Sequence, residues 1–343
     1  MDTDNLTVYN SIFEAIAQYE ENSPLLLLEH NDPARLRRTL QFILLADENG
    51  KNIIMPNVFP GNLYRGEPGK YDECKPGLYR NREKEYDEAD LVIKELNIID
   101  FELILKKHPY SIFYENNNLA VKYRALAQHY GLDTDLVDFT CDIAVAAFFA
   151  THKFNDGKYE QISDNNKYGC IRQIPGIMTY EAENPLKVLG LQPFMRPGAQ
   201  YAFAHKVDKG DDLAGKCRKV IFKQNPEANI KISKLFTHQN VNKPFPNENK
   251  LYPIEIIPLI ADEIKNRHVV TDDAVQLYCE RFKEEIGTIN DVIASKSYSI
   301  CKNPVFRFSR QMNRRLAQEI SEYPYRLNMY DNAIVTTRFV NYP

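Results

Sequence analysis

The sequence lacks the features that mark several large classes of protein. Its 343 residues contain no run of about 18 apolar residues, the length that a membrane-spanning helix needs. The six cysteines lie far apart, with no CxxC pair and no Cys and His spacing of the kind that zinc requires. The first ten residues lack the charged and apolar blocks of a signal peptide. We therefore expect a cytoplasmic protein with free thiols, without a metal ion and without a membrane partner.

The sequence also lacks a strong charge and the common catalytic motifs. The formal net charge is −4 and the isoelectric point is near 6.0, so binding to a phosphate backbone would need a local basic patch. The segment "RFSRQMNRR" (307–315) is such a patch, although a solvated helix face is the simpler interpretation. No P-loop and no G-x-S-x-G, H-E-x-x-H or G-x-G-x-x-G motif is present. The composition, 43% hydrophobic and 26% charged, is that of a globular chain with one large core or two smaller ones.

An amphipathic helix is expected at the start of the chain. Apolar residues recur at helical spacing over 5–20, with Asn5 or Thr7 as the cap and Ser23-Pro24 as the stop. Periodicity leaves the segment 34–46 open between a helix and a strand.

Three helices are expected in the middle of the chain, after a loop region at 55–80 that holds four prolines and four glycines. The first has one apolar face and ends at "KKHPY", the second covers about 118–130 and stops at Gly131, and the third begins after Thr140. The third helix is rich in small side chains, which indicate close packing against a sheet rather than a cofactor site. These are Ala144, Ala146, Ala147 and Ala150.

From residue 168 onward the pattern becomes that of strands, at "YGCIRQI", "QYAFAHKV" and "KCRKVIF". A short helix at "IKISKLF", a long helix over 271–297 with Thr271 as its cap and Phe282 and Ile286 facing inward, and a strand at "NAIVTTRFV" are also expected. We predict an α+β fold in which helices flank a central, mostly antiparallel sheet. The sheet belongs to a domain of residues 1–260, and a mainly helical C-terminal extension, residues 261–343, packs on it.

Two sequence blocks resemble a known family. The first is Tyr64-Arg65-Gly66 within "LYRGE", and the second is "QHYGLDTDLVDFT" (128–140). Together they are similar to the FRG domain, which is named for an aromatic-Arg-Gly motif. Its second block has the form Gln-His-Tyr-Gly-x-Pro-Thr-Arg-Leu-Leu-Asp-aromatic-Thr. The likeness covers about residues 5–260, and it is looser at "KPGLYR" (75–80) and "RPGAQYAF" (196–203).

Three positions of the second block depart from the family pattern. Asp133 stands where the family has Pro, Asp135 where it has Arg, and Val137 where it has Leu. Position 135 has therefore lost a basic residue that could hold an anion.

The two blocks contain side chains that can hold an anionic ligand. Arg65 stands at the predicted end of a strand, where its guanidinium can grip a phosphate or a ribose with two hydrogen bonds, or pair with Asp138. Gly66 permits close backbone approach. His129 and Tyr130 end a helix, where a protonated imidazole is favoured and can donate to an anion. Alternatively, His129 bonds a backbone carbonyl as a cap.

Asp138 and Thr140 flank the predicted start of the third helix, and each is a natural N-cap. Both cannot cap one first turn in the same way. We expect one to cap the helix and the other to face a ligand or Arg65.

The combination is also similar, more weakly, to the Arg-Ser-Glu class of ADP-ribosyltransferases. In that class an Arg holds NAD, a Ser or Thr orders the site, and a Glu bonds the nicotinamide ribose. The likeness implies that Arg65 binds NAD, that Thr140 orders the pocket and that the third position lies near Gln200. An amide supplies no negative charge to the developing cation, so another carboxylate is needed. The candidates are Asp138, Glu67, Glu181 and Glu183.

Two overlapping sets of site residues follow from these resemblances. The candidate catalytic residues are Arg65, His129, Tyr130, Asp138, Thr140 and Gln200. The candidate NAD-binding residues are Tyr64, Arg65, Gly66, Gln128 and His129.

The resemblances imply an ADP-ribosyltransferase-like enzyme that uses NAD as a substrate and modifies a protein or nucleic acid, such as a bacterial toxin or antiphage effector with an antitoxin or chaperone as partner. Two alternatives stay open. One is a non-catalytic nucleotide-binding or interaction module in which Arg65, His129 and Asp138 form a structural network. The other is a metal-dependent nuclease built on Asp133, Asp135 and Asp138, since hard cations bind clustered oxygens.

Overall fold

The computed structural model describes most of the chain. The residues described are 7–21, 23, 26, 41–46, 50–56, 61–80, 86–155, 158–176, 186–237, 249–253, 255–302, 310–311, 314, 317–318 and 334–336. Glu181 and Glu183 lie outside them, as does most of the segment 307–315, of which Arg310 and Arg314 are described as exposed helical residues.

Strands and helices alternate irregularly along the chain. The strands are Val8–Tyr9 (β1), Gln41–Ala46 (β2), Asn52–Pro56 (β3), Asn62–Glu67 (β4), Leu136–Thr140 (β5), His152–Asn155 (β6), Lys158–Gln161 (β7), Tyr168–Pro175 (β8), Leu186–Val188 (β9), Ala202–Lys206 (β10), Arg218–Lys223 (β11), Val269–Thr271 (β12), Ser299–Cys301 (β13) and Ile334–Thr336 (β14). The helices are Ile12–Ala17 (α1), Glu88–Lys106 (α2), Pro109–Asn116 (α3), Tyr123–His129 (α4), Ile143–Thr151 (α5), Met195–Ala199 (α6), Pro226–Leu235 (α7), Ile257–Asn266 (α8), Asp272–Phe282 (α9) and Ile286–Ser295 (α10).

A seven-stranded sheet forms the centre of the described structure. Its strand order is β1-β11-β8-β4-β5-β10-β9, and the neighbours run antiparallel except for the parallel pair β1 and β11. The described residues also form a three-stranded sheet, β14-β2-β3, and two strand pairs, β6-β7 and β12-β13. Helices flank the central sheet, and a helical region follows it toward the C-terminus, so the predicted α+β fold is confirmed.

Helix α5 lies directly on strands β4 and β8 because two glycines let it approach. A Cβ atom at Gly66 would lie 1.7 Å from the carbonyl oxygen of Ala146, and a Cβ at Gly169 would lie 2.7 Å from the carbonyl oxygen of Ala150. No side chain fits at these distances, because protein interiors are close-packed. The small residues of α5 belong to one apolar cluster with residues of α1 and α7. The interpretation of this alanine-rich helix as close packing on the sheet is confirmed.

A second apolar cluster joins the helices beside the sheet. Helix α2 begins with a capping box between Asp87 and Asp90, as its acidic first turn favours. Residues of α2 and α4 pack in the same cluster as Ile257 and Ile264 of α8. The predicted domain boundary at 260 falls inside α8, and the division into two domains stays a prediction. None of the helices described combines the length and the apolar character needed to cross a bilayer.

The expected opening helix is wrong at its start. Residues 8–9 form β1, which pairs with β11, and α1 begins only at Ile12. Its N-cap is Ser11, whose hydroxyl accepts from the amide of Glu14 at 3.3 Å, rather than Thr7; Asn5 lies outside the described residues. Pairing with the sheet satisfies the backbone of residues 8–9, so tertiary structure overrides the helical period there.

Of two further predicted helices, one is shorter than expected and the other is divided in two. The segment 118–130 contains only α4, because Asn118 adopts a left-handed conformation (φ 55°) that ends the preceding helical segment, α3. The segment 271–297 contains α9 and α10, separated at Lys283, which is also left-handed (φ 58°). Phe282 and Ile286, expected to face inward, are 48% and 51% exposed at this break. The cap at Thr271 is confirmed, since its hydroxyl accepts from the amide of Ala274 at 3.1 Å.

The loop predicted for 55–80 is interrupted by β4, which pairs with β8 along its whole length. The density of proline and glycine on both sides obscures this strand in the sequence. In the segment 34–46, whose type the sequence left open, the described residues form the strand β2. The strands expected around β8, β10 and β11, the short helix α7 and the strand β14 are confirmed.

Candidate functional site

The structure brings all the predicted site residues to one cavity of about 710 Å³. Strands β4 and β5, the end of α4, α5, the β6-β7 hairpin, α6 and α8 all contribute to its wall. Its lining includes Tyr64, Arg65, Gly66, Gln128, His129, Tyr130, Asp138, Thr140 and Gln200. Residues far apart in sequence meet because β4 and β5 are neighbours in the sheet, paired at Tyr64 and Thr140.

Arg65 is held by groups of the protein. Its Nε lies 3.0 Å from Oε1 of Glu67, and its Nη1 donates to the backbone carbonyl of Asp138 at 3.1 Å. Burial alone would lower the pKa of Arg65, but the negative charges of Glu67 and Asp138 raise it above its ordinary value. The carboxylate paired with Arg65 is therefore Glu67, whereas Asp138 contributes its carbonyl.

Glu67 lies between two guanidinium groups. Its second oxygen, Oε2, is 2.8 Å from Nε of Arg172, a side chain that is 1% exposed. Arg172 also donates to the carbonyls of Tyr71 and Glu73, at 2.6 and 3.1 Å. Burial alone would raise the pKa of Glu67, but Arg65 and Arg172 hold it below its usual value. We call Arg65, Glu67 and Arg172 the ion triad. Within it Glu67 stays ionised, and both of its oxygens are occupied.

Asp138 is oriented toward the cavity by a bridging amide. Nε2 of Gln128 donates to Oδ2 of Asp138 at 3.2 Å, and Oε1 of Gln128 accepts from the hydroxyl of Thr134 at 2.7 Å. The Asp138 side chain remains 32% exposed. Gln128 therefore acts as a positioning residue. Among the described residues Oδ1 of Asp138 is buried without a hydrogen-bond donor, and the partly exposed side chain borders the cavity.

His129 is buried beside Asp138. Its Nε2 lies 3.6 Å from Oδ1 of Asp138, beyond hydrogen-bond distance, and the imidazole side chain is 3% exposed. Burial lowers the pKa of His129, the charge of Asp138 opposes this shift, and Arg196 adds to it. The neutral imidazole is therefore favoured, contrary to the expectation from the helix dipole.

Thr140 does not cap α5, and neither does Asp138. Both residues belong to β5, and the N-cap is Asp142, whose carboxylate accepts from the amide of Ala144 at 2.9 Å. The hydroxyl of Thr140 donates to the carbonyl of Gln200 at 2.7 Å and accepts from the amide of Asp142 at 3.1 Å. Thr140 thus ties the end of β5 to the start of α5 and to the turn before β10.

Gln200 was expected on a strand but is the C-cap of α6. Its side-chain amide donates to the carbonyl of Leu251 at 2.9 Å, and the residue is 5% exposed. Pro197 lies in the short helix α6, where its fixed backbone angle is compatible with a helix. The strand β10 therefore begins at Ala202 rather than at Gln200. The amide of Gln200 therefore ties the end of α6 to the backbone at Leu251 within the cavity wall.

The two tyrosines of the predicted site donate to carboxylates. The Tyr130 hydroxyl donates to Oε2 of Glu255 at 2.5 Å, and the Tyr64 hydroxyl donates to Oε1 of Glu20 at 3.0 Å. Burial, strengthened by these carboxylates, raises the pKa of both phenols. Their rings line the cavity while their hydroxyls are engaged within the protein.

The acidic residues considered as a metal site point to separate partners. Asp133 accepts from the hydroxyl of Tyr86 at 3.1 Å, and Asp135 is 2.5 Å from Nε of Arg124. Asp135 is buried and does not line the cavity, so the lost basic residue at 135 removes no cation from the site. In the described part of the chain, no three His, Cys, Asp or Glu side chains are grouped so that they could hold a metal ion.

The cavity also has an aromatic wall, formed by Tyr159, Tyr252 and Phe154, and a further cation, Arg196, neither of which was expected from the sequence. Tyr159 and Tyr252 stack with ring centroids 4.2 Å apart, and Phe154 lies 5.0 Å from Tyr159 while 59% exposed. The guanidinium of Arg196 lies 4.6 Å from the ring centre of Tyr130 and 4.8 Å from that of Tyr252. Arg196 stood within the looser block 196–203 as the available signal; the tyrosines gave none, because their contacts join distant segments.

Comparison with known proteins supports the resemblance seen in the sequence. A family model described as the FRG domain matches residues 61–158, which include β4, β5, α5 and most of the predicted site residues. No curated protein and no solved structure matches the chain. With both motif blocks in one cavity and the family model spanning them, residues 61–158 of this chain are an FRG domain.

Proposed function

We propose that the cavity binds NAD as a substrate and that the protein transfers its ADP-ribose to a macromolecular acceptor. The observation that supports this most is the presence of Arg65, Arg196, Asp138 and the aromatic wall in one cavity of about 710 Å³. Cations suit a diphosphate, flat rings suit the nucleotide bases, and a carboxylate suits the reacting ribose. The volume is within the range of roughly 300–1,000 Å³ that is common for small-molecule sites.

The proposed reaction breaks the bond between ribose C1′ and the nicotinamide nitrogen. The electron pair of that bond leaves with nicotinamide, and a nucleophile of the acceptor bonds to C1′ and releases its proton. Positive charge develops on the ribose between these events, and a fixed carboxylate beside it lowers the energy of the transition state. We assign this role to Asp138.

Asp138 suits this role better than the other acids of the region. Glu67 is enclosed by two guanidiniums, and Glu255 accepts from Tyr130 and from the amide of Met195. Asp262 pairs with Lys265 at 3.0 Å on the outer rim. Asp138, held by Gln128 and partly exposed, is oriented before a substrate arrives, which is the condition for electrostatic catalysis.

The acceptor remains a protein or a nucleic acid in this proposal, and the biological role is that of a bacterial toxin or antiphage effector. An antitoxin or chaperone would then control it. Growth arrest on expression, relieved by Asp138→Asn in a protein that still folds, is the result expected of such an effector.

The test is transfer of label from NAD. Purified protein is incubated with NAD labelled in its adenylate part and with cell lysate, and the protein and nucleic-acid fractions are counted separately. Asp138→Asn keeps the shape and removes the charge, so it should slow nicotinamide release by about 100-fold. The matched control is Asp208→Asn, whose side chain is 80% exposed outside the cavity. Equal release by wild type and Asp138→Asn would remove the assigned role, and no release by wild type would remove the proposal.

A second function is favoured by a specific observation, that Arg65 and Gln200 are both occupied by protein groups. In this alternative the cavity binds a nucleotide without transferring any part of it. Stable binding of NAD by the wild type, with intact NAD recovered after incubation with lysate, is the result that selects it.

A further inference from the structure

We propose that Arg196, rather than the motif residue Arg65, is the anion-binding residue of this cavity and that it takes the diphosphate of a nucleotide. This inference rests on the proposed function only in placing a nucleotide in the cavity. It identifies a residue outside the stretch 61–158 that the family model matches.

The guanidiniums of Arg65 and Arg196 differ in their hydrogen-bond partners. Arg65 has a carboxylate partner at 3.0 Å and gives a further hydrogen bond to a backbone carbonyl. In the part of the chain that the structure describes, Arg196 has no carboxylate partner, and its Nη1 donates to the carbonyl of His129 at 2.8 Å. Its Nε is buried and has no hydrogen-bond acceptor there. A buried donor without an acceptor is costly, and an anion in the cavity would supply one.

Arg196 is held in place by two tyrosine rings. Its guanidinium lies between the rings of Tyr130 and Tyr252, at 4.6 and 4.8 Å. Contacts with ring faces restrain a cation without neutralising it, and they leave the edge of the planar guanidinium open to hydrogen bonds. The tyrosine hydroxyl at 130 is directed to Glu255, which holds that ring in place. Arg196 is therefore fixed before a ligand binds.

An acidic and a basic side chain, Glu255 and Lys265, also line the cavity on the side of Arg196. The two oxygens of Glu255 accept from the Tyr130 hydroxyl and from the amide of Met195. Lys265 of α8 also lines the cavity, and its Nζ is 3.4 Å from the position that a Cβ of Gly131 would occupy. The helices α4, α6 and α8 form one side of the cavity, which we call the helical wall. Arg196 and Lys265 place two cations on this wall, although Lys265 is paired with Asp262 at 3.0 Å.

The position of Arg196 beside the aromatic wall indicates the chemical class of the ligand. Tyr252 contacts Arg196 on one side and stacks on Tyr159 on the other, so the cation is continuous with the aromatic wall. Phe154 extends this wall to the rim, where it is 59% exposed. Aromatic faces next to a guanidinium suit a base and a phosphate joined in one molecule. A nucleoside diphosphate meets this description better than a free sugar or an apolar ligand.

The experiment measures binding of ADP, AMP and adenosine to the full-length protein by calorimetry. ADP should bind the wild type more tightly than adenosine, and Arg196→Gln should weaken ADP binding by about tenfold or more, because a charge-assisted hydrogen bond is lost. The affinity of Arg196→Gln for adenosine should differ little from that of the wild type, since adenosine carries no phosphate. Arg196→Lys keeps the charge but loses the planar edge of the guanidinium. Its affinity for ADP should therefore lie between those of the wild type and Arg196→Gln.

Arg218→Gln is the matched control. Arg218 also lies over a tyrosine, with its guanidinium 5.0 Å from the ring centre of Tyr19, but it does not line the cavity. It should leave ADP binding unchanged while losing a similar cation and ring contact. If Arg196→Gln fails to fold, the ratio of ADP to adenosine affinity in the wild type and in Arg196→Lys still tests the proposal.

Two outcomes would overturn the inference: unaltered ADP affinity in folded Arg196→Gln, or equal affinities of the wild type for ADP and adenosine. Loss of ADP binding in Arg65→Gln with full binding in Arg196→Gln would return the anion site to the motif. Nicotinamide release, measured in the same samples, separates the two proposals. ADP binding that depends on Arg196, without any NAD cleavage, supports this inference and removes the transferase.

Discussion

The two walls of the cavity bury charge in opposite ways. At the sheet wall, the side of the cavity formed by β4 and β5, Arg65 belongs to the ion triad. The triad encloses Glu67 between Arg65 and Arg172, and every charge in it has a protein partner. On the helical wall, Arg196 lies between two tyrosine rings and has no carboxylate partner among the described residues. A guanidinium that pairs internally supports the fold, whereas one that is restrained by rings keeps its charge for a ligand. The family motif marks the first kind of wall.

The buried histidines add a third way of handling an ionisable group. His152 stacks on Phe148 with ring centroids 4.0 Å apart, and burial lowers its pKa to about 4. His129 shifts in the same direction for the same reason. These imidazoles are buried in the neutral form, while the triad is buried in the charged form. The two regions therefore differ in how they respond to substitution and to acid.

Gly66→Ala should have the largest effect, because it tests whether the sheet wall tolerates any change in packing. The new Cβ would lie 1.7 Å from the Ala146 carbonyl oxygen, so α5 must move away from β4. We expect a loss of roughly 4–5 kcal/mol in the free energy of unfolding, at the upper end for single substitutions. Urea denaturation monitored by circular dichroism measures it.

Gly61→Ala is the control for this substitution, since a Cβ at Gly61 would meet nothing within 4 Å. The two positions are five residues apart, at the start and near the end of the same strand region. Similar stability of the two variants would contradict the close approach of α5.

Glu67→Gln should have the next largest effect, because it leaves two buried guanidiniums without a negative charge. Removing one partner of a buried ion pair costs about 3–5 kcal/mol, and we expect about 3 kcal/mol here because Gln keeps an oxygen acceptor. Thermal and urea unfolding at neutral pH measure the change.

Glu88→Gln is the control, since the Glu88 side chain is 82% exposed although it also pairs with a cation, Lys209. It should change stability by less than about 0.5 kcal/mol. If the two variants lost equal stability, the sheet wall would not be a closed ion network.

Acidification should have the smallest of the three effects and should separate neutral from charged burial. The folded-state pKa of His152, about 4, is below the ordinary value of 6.5, so the stability it contributes is complete above 6.5 and is lost as pH falls toward 4. Between pH 7 and pH 5 this histidine should account for about 2 kcal/mol. Glu67 acts later, because its lowered pKa keeps it charged until the pH falls below its ordinary value of 4.5.

His152→Gln should therefore flatten the fall in unfolding free energy between pH 7 and pH 5, measured by urea titration at each pH. His268→Gln, at an exposed histidine, should leave that slope as it is. An unchanged slope in His152→Gln would show that its imidazole is not buried in the neutral form. His108, whose pKa burial also lowers to about 4, should maintain part of the slope in both variants.

The elements that could be predicted have strong local signals. The helix at Glu88–Lys106 has periodic apolar residues and an acidic start, and the strands after residue 168 are short segments separated by turns rich in Pro, Gly and Asp. The helix α5 begins after Thr140 as expected, but its cap was misassigned because Asp138, Thr140 and Asp142 are all good caps within five residues. Pairing of β5 with β10 decides among them, and such pairing depends on residues more than sixty positions away.

The motif residues could be predicted to meet, and they do line one cavity. The charge state and partner of each motif residue could not be predicted. Burial favours the neutral form of His129 rather than the expected protonated form, and Arg65 pairs with Glu67. Arg196 and Tyr252 were missed because a guanidinium over a ring leaves no periodic or spaced pattern in either segment. Long-range contacts of this kind require the fold.

The glycine at position 66 has a consequence for what the family motif does in this chain. In the aromatic-Arg-Gly triplet of this chain, the glycine lets a helix rest on a strand, and the arginine belongs to an internal ion network. Both properties are architectural. In this chain the triplet therefore builds the scaffold, and the ligand contact that we propose lies outside it, at Arg196.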